Sequence, residues 1–232
     1  TLCCTLFPYT TLFRSLLDKA GVPLVLDASQ SAGVIDLDVT KYPCLAAVCM
    51  PGHKGLYGPQ GTGLLLVLDD RIAQRPLLAG GTGSLSEQLS QPDFLPDALE
   101  SGTPNLPGAA GLVAGIAFVR SVGAANILAH ERRLVHEFVR ALENTQRIEC
   151  FSHPEQTGVV SLRVAGVPSE TVAEALSQQG IAVRAGLHCA PLAHRTAGTE
   201  DTGTVRFSTS FYSTARQMEQ AAAAVCKAVK NL

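Results

Sequence analysis

Three short clusters of the sequence bring together side chains that could do chemistry on a ligand. The first is LDASQS, in which Asp27 ends an apolar stretch and Gln30 follows three residues later. An apolar stretch of this kind predicts a buried strand, and open α/β sheets bind ligands beyond the carboxyl ends of their strands. Asp27 is therefore a candidate ligand-binding carboxylate, and the alternative is a residue that only caps the following turn.

The second cluster is PGHKGLYGPQGTG, which places His53 and Lys54 between two apolar stretches. Glycine-rich backbone lets a ligand or a tight turn come close. A lysine at the end of a buried strand is costly unless it is paired or used covalently, which makes Lys54 a candidate for Schiff-base chemistry. The alternative is a solvated loop lysine. The phosphate-loop signature GxxxxGK[ST] does not occur here.

The third cluster is RAGLHCAPLAH, followed downstream by TVRFSTS with Arg206. Cys189 comes directly after His188, and a cysteine beside a histidine can be a reactive thiolate. The alternative is a buried structural thiol. His188, His194 and Cys189 together lack a fourth ligand and make a poor zinc set, so no metal site is expected.

Composition narrows the class of protein. The chain has 232 residues, of which 46% are hydrophobic and 16% charged, enough for a substantial core. A net charge of −2 without a basic stripe argues against nucleic acid as a partner. No window is apolar and long enough to span a membrane. The cysteines beyond residue 15 are scattered without a CxxC pair, which favours a reducing, cytoplasmic location.

The first half of the chain predicts an α/β sheet. PLVLDA and two stretches within residues 44–70 are predicted as strands, and their lack of alternation indicates a sheet covered on both faces. A long irregular segment over residues 79–108 is rich in glycine, proline and serine, which is typical of a functional loop. Residues 107–144 are predicted to be helical from the spacing of their apolar side chains.

The second half predicts a small α+β domain over residues 145–232. Residues 157–166, 181–186 and 203–210 are predicted strands. Residues 168–180 are a predicted helix with Ser169 as N-cap and Gly180 as its stop, and residues 214–231 form an amphipathic helix. A strand–helix–strand–strand–helix order of this kind indicates a sandwich of sheet and helices.

The start of the chain does not fit either domain. TLFPYTTLFRS, residues 5–15, has neither strand nor helix periodicity. A nucleotide sequence that encodes this peptide looks like a widely used sequencing adapter. We therefore expect residues 1–15 to be a non-native leader and residues 16–144 to be the C-terminal part of a larger domain, with the chain truncated at its N-terminus.

Taken in order, the motifs resemble the fold-type I, class V pyridoxal-phosphate enzymes, and more narrowly the group II-type cysteine desulfurases and selenocysteine lyases. The motifs are VLDASQSAG, PGHKGLYGPQGTGLL, ESGTPNLPG, IAVRAGLHCAP and VRFSTSFYST. The resemblance spans about residues 16–232. It implies a partial fold-type I large domain with a mostly parallel sheet, followed by the small C-terminal domain.

The resemblance implies pyridoxal 5′-phosphate as the cofactor. Lys54 matches the lysine that binds the cofactor covalently and moves protons, and Asp27 matches the carboxylate that faces the pyridine nitrogen. Gln30 would bond the ring's 3′-oxygen, and His53 would contact the phosphate. Thr82 matches a phosphate contact to the partner subunit's cofactor, which implies a homodimer for the full-length protein.

The resemblance also implies the substrate site. Arg206 matches the arginine that holds the α-carboxylate of L-cysteine or selenocysteine, with Arg184 and Asn105 supporting the same site. Cys189 matches the nucleophile that leaves as a persulfide while alanine is released, and His188 is a candidate to tune its thiolate. A sulfur-acceptor protein is a candidate partner.

The chain departs from the family before Asp27. The family carries there a glycine and threonine loop for the cofactor phosphate and a histidine that stacks on the ring, and neither occurs here. We therefore expect weak or no activity from the truncated chain. Two alternatives stay open: another class V reaction, such as an aminotransferase, selenocysteine lyase or epimerase, and a non-catalytic α/β fragment.

Overall fold

The computed structural model describes residues 15–69, 75–85 and 87–232. Their contacts divide the chain into two compact units, one ending at Val122 and the other spanning Gly123–Leu232. The predicted leader lies outside the described residues except for Ser15, which begins a helical stretch over residues 15–20. The domain limits drawn from the sequence, 16–144 and 145–232, stay a prediction.

A three-stranded sheet forms the centre of the first unit. Its strands, in their order across the sheet, are β1 (Leu24–Asp27), β2 (Leu45–Pro51) and β3 (Gly63–Val67). β1 pairs with β2 in parallel, whereas β3 pairs antiparallel to β2 because a single turn over residues 52–62 joins them. The sheet is therefore mixed, and the carboxyl ends of β1 and β2 lie at the same edge.

Burial across this sheet is uneven. Ala46, Ala47 and Val48 of β2 are all buried and point alternately to the two faces, as the prediction of a sheet covered on both faces requires. The same prediction is wrong for β3, because Leu64, Leu65 and Leu66 stay 37%, 49% and 38% exposed. β3 is the outer strand, and the described residues supply no second layer to cover its leucines.

Between the sheet and helix α1 (Leu106–Val122), the described residues of the connecting segment, 75–85 and 87–105, form no helix or strand. One side chain ties separate parts of them together. Gln91 accepts a hydrogen bond from the Gly80 N–H at 2.7 Å and donates to the carbonyl oxygens of Asp97 and Glu100 at 2.6 and 3.1 Å. These bonds bring the residues around Gly80 close to those around Glu100.

The second unit is an antiparallel sheet packed against helices. Its strands run in the order β4-β5-β7-β6, with bounds β4 (Ile148–Phe151), β5 (Val159–Val164), β6 (Arg184–Gly186) and β7 (Thr204–Ser208). Its helices are α2 (Ala124–Leu142), α3 (Ser169–Ser177), α4 (Pro191–Ala197) and α5 (Ala215–Asn231). Alternate residues of β5 enter the core beside apolar side chains of α2, α3 and α5. This alternation leaves the other face of the sheet open for polar groups.

Most predicted elements of this unit are confirmed, with two additions. β4 and α4 were not predicted, because four and seven residues are too few for a periodic pattern to show. The N-cap assignment of Ser169 is wrong. Ser169 is the first helical residue of α3, Pro168 holds the cap position, and the Ser169 hydroxyl bonds elsewhere in the fold.

The predicted helical stretch over residues 107–144 is broken at Gly123, which has a φ of 88° and separates α1 from α2. Glycine adopts this left-handed backbone without the clash that a Cβ would cause. Across the described ranges, no single helix is apolar and long enough to cross a membrane. Only α1 and α2 taken together would qualify, on length and composition alone.

Helix α2 carries a buried carboxylate that links it to the sheet. Glu131 is 5% exposed and accepts a hydrogen bond from the Gly158 N–H, just before β5. Burial raises the pKa of Glu131 to about 7. The next residue, Arg132, donates to the carbonyl oxygens of Glu155 and Gln156 at 2.6 and 2.8 Å. Together these bonds fix the loop that leads into β5.

We expect Glu131 to make the stability of the chain depend on pH. The folded pKa, about 7, exceeds the ordinary value of 4.5, so the folded state holds the extra proton between these pH values. The free energy of unfolding should therefore fall as pH rises from 4.5 to 7, by up to about 3 kcal/mol. Urea unfolding at pH 5 and pH 8 measures this difference.

Glu131→Gln should remove most of this dependence and stabilise the chain at pH 8, because an amide keeps an acceptor for Gly158 without a charge. Glu143→Gln, at an exposed position just after α2, is the matched control and should leave the dependence unchanged. An equal pH dependence in Glu131→Gln and the parent chain would contradict the assignment.

Candidate functional site

Asp27 is the last residue of β1, opposite Cys49 of β2. Its Oδ1 accepts a hydrogen bond from the Ser29 N–H at 2.9 Å. The Ser29 hydroxyl and N–H lower the pKa of Asp27, and the positive charge of Lys54 lowers it further. The carboxylate is thus exposed, ionised at neutral pH and within electrostatic reach of Lys54.

Lys54 and His53 lie on the turn that joins β2 to β3, and both are exposed. The backbone of this turn is internally bonded. The Tyr57 N–H donates to the Lys54 carbonyl oxygen at 3.0 Å, and the Gly58 N–H donates to that of Gly52 at 2.8 Å. The lysine therefore stands on a rigid turn with its amine facing solvent, as a covalent attachment point for a ligand requires.

Neighbouring backbone holds this turn from two sides at contacts that only glycine permits. A Cβ at Gly33 would collide with the Gly55 carbonyl group, so the loop after β1, which carries Gln30, lies directly against the Lys54 turn. A Cβ at Gly115 of α1 would collide with the carbonyl oxygen of Leu56. The structure thereby brings Asp27, Gln30, His53 and Lys54 to one edge of the sheet.

Thr82 and Asn105 line another feature of the first unit, a cleft of about 550 Å³. Asn105 has a structural task there, since its Oδ1 accepts a hydrogen bond from the Gly108 N–H at 3.0 Å and so caps α1. A Cβ at Gly108 would collide with the Asn105 amide, which fixes the orientation of that side chain. Sequence analysis missed this cap, although an asparagine before Leu106 is a recognised helix start.

In the second unit, two arginines face each other across neighbouring strands. Arg206 of β7 pairs in register with Arg184 of β6, and both lie on the sheet face opposite the apolar core. Like charges directly opposite are destabilising unless something compensates them. The Arg206 Nε is buried and has no hydrogen-bond partner among the described residues. This pair is suited to an anion that accepts from a guanidinium fork.

Cys189 lies on a strained turn beside these arginines. The Ala190 N–H donates to the Leu187 carbonyl oxygen at 2.8 Å and closes the turn. Its two central residues, His188 and Cys189, have φ values of 50° and 60°. Turns of this type usually contain glycine or asparagine, and other residues cost about 1 kcal/mol or more each. The strain places the Cys189 thiol at the exposed apex.

His188 is neutral in this arrangement. Its Nε2 lies 3.1 Å from the Thr204 carbonyl oxygen, which only accepts, so Nε2 carries the hydrogen. Burial, and then the charge of Arg206, lower the pKa of His188. Its Nδ1 is buried without a partner among the described residues. A neutral imidazole bound to Thr204 holds the turn in place and adds no positive charge beside Cys189.

The predicted residues thus fall into two groups, one in each unit. The first unit carries Asp27, Gln30, His53, Lys54, Thr82 and Asn105, and the second carries Arg184, His188, Cys189 and Arg206. Sequence analysis missed the hydrogen bonds that the side chains of Gln91 and Ser169 and the backbone of Thr204 make in these two units. These bonds join residues that are not neighbours in the sequence, and no local sequence pattern predicts them.

The low pKa of His188 can be tested directly. In Arg206→Gln the loss of the neighbouring charge should raise the pKa of His188, which should stay below its ordinary value of 6.5 because burial is the larger cause. NMR titration of the imidazole ring measures the change. Arg195→Gln, which removes an exposed arginine bonded to Glu200, is the control and should have no effect. A fall in pKa would contradict the electrostatic assignment.

Known proteins share this fold. A probable cysteine desulfurase from Pyrococcus abyssi (strain GE5 / Orsay) is 33% identical over 227 residues, which covers 94% of this chain and 55% of the relative. The apo structure of cysteine desulfurase from Thermococcus onnurineus NA1 superposes with a TM-score of 0.84 at 31% identity, covering 94% of this chain and 55% of that protein.

A second solved structure agrees. The cysteine desulfurase CsdA from Escherichia coli, in its S-sulfonic acid form, gives a TM-score of 0.80 at 27% identity and covers 94% of this chain and 54% of CsdA. The chain spans about half the length of the curated relatives it matches. These likenesses confirm the predicted fold class. The family model for aminotransferase class-V matches residues 5–220, and the chain therefore belongs to that family.

Proposed function

We propose that this chain belongs to a pyridoxal-phosphate-dependent cysteine desulfurase, with Cys189 as the sulfur acceptor. The observation that supports this best is the exposed Cys189 on a strained turn whose other central residue, His188, lies within electrostatic reach of Arg206 and its buried Nε, unpaired among the described residues. An enzyme of this family that transfers an amino group has no need of a nucleophilic thiol next to its carboxylate site. The relatives named as cysteine desulfurases support the same choice.

The residues of the first unit fit pyridoxal 5′-phosphate. An exposed amine on a rigid turn, Lys54, stands within electrostatic reach of the ionised Asp27. Lys54 would hold the cofactor covalently, Asp27 would face its pyridine nitrogen, and Gln30 and His53 would bond the ring oxygen and the phosphate. When bound, the cofactor withdraws electrons from the substrate carbon atoms.

Lys54 moves the proton of the substrate α-carbon. We assign this proton to the Lys54 amine, because Asp27 would face the ring nitrogen and stay ionised, and His53 would contact the phosphate. The low pKa of Asp27 keeps that carboxylate charged over the whole neutral range. Asp27 thus supplies a fixed negative charge, and Lys54 accepts and releases the proton.

Arg206 binds the α-carboxylate of L-cysteine, and Arg184 supports it from the neighbouring strand. A carboxylate placed there satisfies the buried Arg206 Nε and offsets the repulsion between the two guanidinium groups. The site is therefore selective for amino acids over amines. Asn105, which lines a cleft in the first unit, is a further proposed substrate contact.

Cys189 takes the sulfur. Its thiolate bonds to the sulfur atom of the substrate while the Cβ–S bond of the substrate breaks, and Cβ keeps that electron pair and takes up a proton. The products are alanine and a Cys189 persulfide, so no outside oxidant or reductant is needed. We further propose that a sulfur-acceptor protein removes the persulfide and that selenocysteine is a second substrate. The full-length enzyme is proposed to be a cytoplasmic homodimer in which Thr82 contacts the partner subunit's cofactor phosphate.

Cofactor binding is the first test. Purified chain mixed with pyridoxal 5′-phosphate should gain the visible absorbance of lysine-bound cofactor, and Lys54→Ala should lose it. Lys41→Ala is the control, since Lys41 is also exposed but bonds Asp38 away from the proposed site, and it should keep the absorbance. A band that survives in Lys54→Ala would overturn the proposed cofactor site, and no band in the parent chain would show that the missing phosphate loop is essential for binding.

Sulfur transfer is the second test. Cys189→Ala should reduce alanine and sulfide formation from L-cysteine about a hundredfold or more, with cofactor absorbance unchanged, because it removes only the nucleophile. Cys49→Ala removes another exposed thiol and should keep full turnover. Unchanged alanine formation in Cys189→Ala would reject Cys189 as the acceptor and favour a different class V reaction.

A further inference from the structure

The turn that presents Cys189 is held at its start and at its centre by bonds to other elements. At its start, the Gly186 N–H donates to the Ser169 hydroxyl at 3.2 Å, across from α3. At its centre, the His188 Nε2 donates to the carbonyl oxygen of Thr204 on β7. Two successive non-glycine residues in left-handed backbone persist only where the surroundings fix them. The bonds from α3 and β7 supply that restraint.

Ser169 is well placed for this task. It is 3% exposed, and its backbone N–H donates to the Thr202 carbonyl oxygen at 2.9 Å while its hydroxyl donates to Glu170 at 3.1 Å. The hydroxyl therefore has its donor fully used and presents a lone pair to Gly186. A Cβ at Gly203 would lie 2.6 Å from the Ser169 Oγ and 3.0 Å from the Gly186 Cα. This packing holds Gly203, Ser169 and Gly186 closely together.

We infer that Ser169 is a positioning residue for Cys189. By holding the last residue of β6, its hydroxyl keeps the following turn in the left-handed conformation that aims the thiol outward. Ser169 touches neither substrate nor cofactor in the proposed reaction, and it acts only through the Gly186 amide. The inference rests on the proposed role of Cys189, and it adds a residue of α3 to the site.

Amide hydrogen exchange tests the inference without any turnover. In Ser169→Ala, exchange of the Ala190 amide, which closes the turn, should rise about tenfold because the turn opens locally more often. Two variants in the same helix serve as controls. Ser177→Ala removes an exposed hydroxyl, and Val172→Ala destabilises the buried face of α3 without touching Gly186. Both should leave Ala190 exchange within about twofold of the parent.

Turnover gives the second readout. In Ser169→Ala, kcat for L-cysteine should fall about tenfold with KM within about twofold, because the thiol is misplaced while Arg206 still binds the carboxylate. Val172→Ala should not show this split. Unchanged Ala190 exchange in Ser169→Ala, or an equal rise in Val172→Ala, would overturn the inference and leave the proposed function standing. Unchanged turnover in Cys189→Ala would instead reject the proposed function, whatever the exchange rates show.

Discussion

The first unit depends on a backbone contact that side chains would forbid. Gly33, in the loop after β1, and Gly55, in the turn after β2, approach so closely that a Cβ at Gly33 would collide with the carbonyl group of Gly55. β1 and β2 are parallel neighbours, so their carboxyl ends already share one edge of the sheet. The glycine contact brings the loop after β1 against the turn after β2. It thereby places the Asp27 carboxylate within electrostatic reach of the Lys54 amine.

Helix α1 completes the support from the other side. Gly115 lets the helix lie against the backbone at Leu56, and the ring of Tyr57 packs edge-on against Phe118 with centroids 5.0 Å apart. The Lys54 turn is thus clamped between a loop and a helix, so little freedom is left in its backbone. A lysine on a fixed turn loses less entropy when it binds a ligand than a lysine on a mobile loop would.

The second unit carries two destabilising features on one small sheet, a pair of like-charged arginines and a strained turn. The core beneath β5 and β7 is apolar and dense, and it fixes the register that sets Arg206 opposite Arg184. Repulsion within that pair and the left-handed backbone at Cys189 both store free energy that the core must offset. Strain of this kind is common where a fold keeps a reactive group ready for a ligand. The neutral His188 belongs to the same arrangement, since a protonated ring would add a third charge.

The sequence alone determined the chemistry of the site and the order of its parts. Apolar stretches ending in Asp27 and before Lys54 identified the strands, and the amphipathic spacing of residues 214–231 identified the last helix, because these signals are local and repeat along the chain. β4, α4 and the exposed leucines of β3 could not be predicted, since short elements have no period and exposure depends on which layers cover a strand.

Tertiary structure alone decided how the site residues are held. The Gln91 bonds and the Ser169 hydroxyl on Gly186 join positions that lie six to seventeen residues apart, and the partner of each side chain is set only when the chain has folded. The neutral state of His188 likewise depends on burial and on the charges of two nearby arginines. One of them, Arg206, is distant from His188 in the sequence and comes close only in the fold. The residue types thus indicate which chemical groups the candidate site contains. The fold sets the distances between these groups, because distances between residues far apart in the chain depend on packing.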